Sequence, residues 1–80
     1  MREIKANKTY RHFKGNVYKV LHIGYSSEEV DEKGEQKKLV IYQSNHDGKI
    51  WVRPYENFAS KVDKEKYPTA DQEYRFMEVD

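Results

Sequence analysis

Three imidazoles, His12, His22 and His46, are the side chains best suited to hold a metal ion or move a proton near neutral pH. They lie ten and twenty-four residues apart, and the chain has no cysteine. Protein zinc sites draw on His and Cys at short, repeated spacings, and no such spacing occurs. The pattern implies neither metal nor cofactor, and the histidines read as surface or structural groups. Ser26 and Ser27 offer hydroxyls, but a nucleophile needs a base in reach and donors for an oxyanion, and neither motif is present. Glu28, Glu29, Asp31 and Glu32 resemble a carboxylate pair only by proximity, since their polar surroundings offer no burial to raise a pKa. The glycines are isolated, so no loop is built to cradle a phosphate. The expectation is a protein that is not an enzyme. A site on His12 with Arg11 or Glu28 would need a pre-organised pocket that so short a chain seldom builds.

Arginines beside flat rings are the more informative pattern. Arg11 stands between Tyr10 and Phe13, and Arg53 follows Trp51-Val52. In an extended strand Trp51 and Arg53 share a face. A guanidinium next to an indole suits stacking on a base, a peptide or a carboxylate. The competing role is internal: Arg11 or Arg53 could bond Glu28 and pin the polar segment that carries it. The binding residues expected on this basis are Arg11, His12, Glu28, Tyr42, Trp51, Arg53 and Tyr55. Their partner would be a protein or an extended peptide. The alternative partner is nucleic acid, met by Arg2, Lys5, Lys8, Arg11, Lys14 and Lys19 with Tyr10, Tyr18 or Trp51 as stacking surfaces. No RNP-like or Gly-rich RNA motif accompanies those cations.

The elements that must hold these residues are short strands. Residues 10–13 (YRHF), 17–25 (VYKVLHIGY), 39–44 (LVIYQS) and 50–53 (IWVR) are rich in β-branched and aromatic residues. In the second run Val17, Leu21, Ile23 and Tyr25 should share one face, with Tyr18 and Val20 on the other and Gly24 marking a bulge or bend. Lys14-Gly15-Asn16 and His46-Asp47-Gly48-Lys49 are turn signals, the second a strong hairpin pair. Residues 26–38 read as a long exposed connection. Pro54 ends pairing, and residues 55–58 make one 3₁₀-like turn. Residues 59–62 offer a short strand, 63–73 a polar surface loop, and 74–79 a closing strand, with a helix from Thr69 as the alternative. The predicted fold is mainly β: a small SH3-like barrel of five to six short antiparallel strands with one 3₁₀ turn. Barrel closure is expected because a single open sheet would leave edges exposed. Residues 51–58 are also similar to the SH3 stretch in which Pro, a 3₁₀ turn and an Asn-aromatic pair lead into the last strand.

Eighty residues support one core. Residues 1–8 are expected to be a flexible segment and 9–80 a single domain. No apolar run is long enough to span a bilayer, and the N-terminus has no secretory character. Membrane association is not expected, and the expected location is the cytoplasm. Net charge is +1, which disfavours non-specific DNA binding. The charge is uneven: residues 1–22 carry six Lys/Arg and one acid, and residues 23–80 carry nine and thirteen.

The blocks Tyr10-Arg11-His12-Phe13-Lys14-Gly15 and Trp51-Val52-Arg53-Pro54 appear in this order, with Tyr18, Val20-Leu21, Ser27-Glu28, Val40-Ile41-Tyr42-Gln43, Phe58, Lys61-Val62 and Arg75-Phe76. Together they resemble a bacterial family of short uncharacterised proteins, domain of unknown function 1653, over residues 9–79. The resemblance implies an SH3-type fold and no activity. This chain departs from the family in having Ser26 where the family usually has His before Ser-Glu. It also has Asn57 in place of Met, and Tyr74 in place of Pro before Arg-Phe.

Overall fold

The computed structural model describes residues 2–79. Thr9–His12 (β1) turns back through Gly15, whose φ of 111° lies where a side chain would be strained. Val17–Val30 (β2) follows and pairs antiparallel with β1. Gln36–Ser44 (β3) returns along β2, and Ile50–Pro54 (β4) along β3. A single α-helical turn, Tyr55–Phe58 (α1), follows in place of the expected 3₁₀ turn. Phe76–Val79 (β5) pairs with β1. The order across the sheet is β4-β3-β2-β1-β5, antiparallel throughout.

Three expectations need correcting. First, residues 26–38 are not a plain loop. β2 and β3 continue into them as a hairpin arm, and Asp31 Oδ1 accepts the N–H groups of Lys33 (2.9 Å) and Glu35 (3.0 Å) at its tip. Charged side chains do not prevent strand pairing when both faces of the ribbon are solvated. Second, the bulge falls at Leu21 rather than Gly24: Val20 pairs with Tyr42, and His22 already pairs with Ile41. The extra residue moves Ile23 onto the face of Tyr18 and Val20, where it packs against the core. Third, residues 59–62 make one bridge, Lys61 to Tyr74, instead of a strand.

The closed SH3-like barrel gives way to one open sheet of five strands. The sheet is nevertheless strongly curled. Strands four places apart in a flat sheet lie about 19 Å apart. Arg53 of edge strand β4 places its guanidinium carbon 5.3 Å from the ring centre of Phe76 on the opposite edge strand, β5. Twist brings these diagonal corners together, and side chains close the seam instead of ladder hydrogen bonds.

Phe58 fills the space this curl creates. It is fully buried and stacks on Phe76 with centroids 3.9 Å apart and planes 7° from parallel. Tyr10 and Tyr42 meet Phe58 edge-on at 5.5 and 5.2 Å, and Val20 and Val40 complete the floor. A four-residue helix has no stability of its own, so Phe58 holds α1 in place.

The described residues of the N-terminal segment, 2–8, contact this core. Ile4 is buried, and its N–H donates to the Tyr55 hydroxyl at 2.7 Å. The Lys5 N–H donates to the Tyr10 hydroxyl at 2.9 Å. Arg2 donates to the carbonyls of Ala59 and Phe76 and lies over the Tyr74 ring. Buried Gln72 anchors the 63–73 loop by donating to the carbonyls of Arg11 and Tyr74. Among the described residues no helix is long and apolar enough to cross a membrane.

Phe58→Ala should remove the central stack and cost about 3–5 kcal/mol, much of the roughly 4–12 kcal/mol expected for a domain of this size. Val52→Ala, at an exposed position, should change stability by about 0.5 kcal/mol or less. Urea midpoints of the two variants test the packing, and equal midpoints would contradict it.

Candidate functional site

Residues opposite one another in adjacent strands share a face. Trp51 is opposite Tyr42 and Arg53 opposite Val40, so both project from β4 to the concave side. Tyr18 and Ser44 form another pair on that side, and His12 joins it opposite Phe76. Part of the concave side is sealed by α1 and the N-terminal segment. The remainder, toward Trp51 and His12, is open: Trp51 is 47% exposed, while Tyr42 beside it is 4% exposed and forms floor.

Arg53 is the most constrained polar group there. Its Nε donates to the Tyr42 hydroxyl at 3.0 Å, and a terminal nitrogen donates to Asn57 Oδ1 at 2.8 Å. Its plane rests over Phe76, which also meets Tyr42 and Tyr18 edge-on at 5.7 and 5.8 Å. Asn57 thus clamps the Arg53 fork from α1. Arg75 lies beyond the same turn. Its Nε donates to Ser60 Oγ at 3.2 Å, and that hydroxyl donates to the Asn57 carbonyl.

His12 packs edge-on to Phe76, with ring centres 4.9 Å apart. Burial, and then the charges of Arg53, Arg75 and Lys14, lower its pKa to about 4. It is therefore neutral at pH 7. Its Nδ1 accepts the Lys14 N–H at 3.1 Å, which assigns the remaining proton to Nε2.

The expected binding residues thus divide. His12, Tyr42, Trp51 and Arg53 share the concave side. Arg11 lies on the other face, where it bonds Gln72 Oε1 at 2.9 Å and pairs with Asp71 at 3.5 Å. Its ion pair pins the 63–73 loop and not the segment of Glu28. Glu28 sits on the exposed hairpin arm, and no ion pair involves it among the described residues. Tyr55 supports the N-terminal segment and lies under the Lys38 ammonium. Sequence reasoning missed Asn57 as a partner of Arg53, Tyr18 as a neighbour of Tyr42 and Phe76, and the link from Arg75 through Ser60 to Asn57. Asn57 was within reach, since it follows Arg53 by four residues at a helical turn. Arg75 is far along the chain and is linked to Asn57 only through Ser60.

A shallow cleft of about 340 Å³ lies elsewhere, between Arg11, Phe13, Lys14, Tyr67 and Asp71. Its arginine is already paired. No three His, Cys, Asp or Glu residues gather as metal ligands among the described residues.

The arrangement of the YRHFKG and WVRP blocks around one curled sheet agrees with the sequence comparison. The family described as "Protein of unknown function (DUF1653)" matches residues 8–78. The chain belongs to this family. No curated protein and no solved structure matches it. In this DUF1653 chain the two blocks meet at Phe76: His12 comes from the first, Arg53 from the second, and both touch its ring.

The lowered His12 pKa has a thermodynamic consequence. Unfolding restores the ordinary value of 6.5, so below that value the unfolded state binds the extra proton. The contribution of neutral His12 is complete above about pH 6.5 and is lost as pH falls toward 4. Urea midpoints from pH 7.5 to 4 should therefore fall more steeply for the wild type than for His12→Asn. Parallel curves would remove His12 from the acid response.

Proposed function

We propose that this domain is a non-catalytic binding module that takes an extended peptide along the outer edge of β4, with Trp51 and Arg53 as anchors. β4 ends the sheet, so its outer backbone groups have no ladder partner among the described residues. Ile50, Trp51 and Val52 on it are 59%, 47% and 60% exposed. An apolar free edge is an aggregation hazard unless it is covered or used. Peptides that add a strand gain main-chain hydrogen bonds from such an edge and specificity from alternate side chains. The observation that carries this reading is the placing of Trp51 and Arg53 on the concave side of that edge. The curled open sheet would then present its ligand surface as an SH3-like barrel does.

The second reading, nucleic-acid association through the basic first third, is less well supported. Three of its six cations, Arg2, Arg11 and Lys14, are engaged in internal contacts. It would show affinity falling steeply with salt.

A random peptide array should give signals with wild type that fall at least tenfold with Trp51→Ala. Trp51 is half exposed, so the variant should keep the wild-type urea midpoint within error. Equal signals from two folded proteins would overturn the β4 anchor.

A further inference from the structure

The corner where β4 meets β5 holds more hydrogen-bond donors than acceptors. Arg53 gives Nε to Tyr42 and one N–H to Asn57, and the rest of its fork has no acceptor among the described residues. Arg75 gives Nε to Ser60, and its terminal nitrogens are likewise without acceptors. Nδ1 of His12 accepts the Lys14 N–H, and its Nε2–H has no acceptor among the described residues. The chain has fourteen acids, yet the ion pairs among the described residues involve Arg11, Lys37 and Lys61, not Arg53 or Arg75.

Two guanidiniums without a counter-charge both disfavour charge on the His12 imidazole. Water offsets this on an open surface, but here the floor is aromatic. The Phe58–Phe76 stack and the rings of Tyr18 and Tyr42 form a poorly polarisable base that strengthens the local field. Arg53 is also held on three sides, so little side-chain freedom remains to be lost on binding. A fixed planar fork matches the two oxygens of a carboxylate.

We propose that Arg53, Arg75 and His12 form a carboxylate-binding site, and that the carboxylate is carried by the extended peptide, as its C-terminus or as an Asp or Glu side chain beside Arg53. This inference rests on the peptide-binding reading and specifies its ligand. Two fixed charges and one neutral donor suit a single small anion. A nucleic acid would need a run of cations along its phosphates. Asn57 is a positioning residue that holds the Arg53 fork.

The test has two arms. In the first, the array carries each peptide with a free and an amidated C-terminus, and with Asp/Asn and Glu/Gln exchanged. Wild type should prefer the carboxylate forms at least tenfold, and Arg75→Gln should abolish that preference while leaving neutral-peptide signals unchanged. Arg75 has one side-chain bond to lose, so this variant should stay folded; Arg53→Lys is the second variant. In the second arm, ¹⁵N-labelled protein is titrated with N-acetylglycine, N-acetylglycinamide, inorganic phosphate and an oligothymidine. Only N-acetylglycine should shift both the Arg53 Nε–H and the His12 Nε2–H resonances.

Equal binding of carboxylate and amide peptides, with Trp51→Ala still abolishing both, would overturn the carboxylate site and leave the module reading standing. Shifts with N-acetylglycine but no array signal would do the reverse. Tighter binding of phosphate or oligothymidine would overturn the carboxylate assignment. Absence of any shift and any array signal would overturn both.

Discussion

The stack of Phe58 on Phe76 is the contact on which the rest of the molecule depends. It joins α1, which cannot persist alone, to β5, which pairs only with β1. A five-stranded sheet of this size has a concave face too wide for its own side chains to cover. One phenylalanine from a single helical turn supplies the missing layer. The large aromatic area buried at this point also explains how a chain of high charge and few aliphatics holds a defined core.

The same ring carries the polar chemistry. Phe76 is buried from below by Phe58 and met from the solvent side by Arg53 and His12. Side chains from β4 and β1 therefore come together on a residue of β5, although β4 and β5 are opposite edges of the sheet. The curl does for this domain what ladder closure does for a barrel. Unlike closure, it leaves the β4 edge free and the corner open to solvent.

Positive charge is distributed with a bias that net charge conceals. Both arginines of the first third are drawn into internal contacts, Arg2 on the β5 side and Arg11 on the 63–73 loop. Arg53 and Arg75, from the acidic remainder of the chain, hold their guanidiniums without carboxylates. A balanced total is thus compatible with a locally electropositive corner, whose charges add to burial in lowering the His12 pKa.

By itself the sequence determined the class of the fold, β1, β4 and β5 to within two residues at each end, the inner parts of β2 and β3, and both short turns, because strand period and turn chemistry are local. It also determined that Trp51 and Arg53 share a face, since alternation along one strand needs no knowledge of neighbours. It did not determine the Leu21 bulge, which exists because pairing with β3 requires Ile23 on the inner side. The hairpin arm was hidden by charged residues whose pairing depends on a partner strand. Only the tertiary structure decided that the sheet stays open, that Arg11 serves Asp71, and that Arg53 and His12 come together on the Phe76 ring. Those outcomes depend on how far the sheet twists and on which side chain fills the gap, and both are settled by packing between residues far apart in the chain.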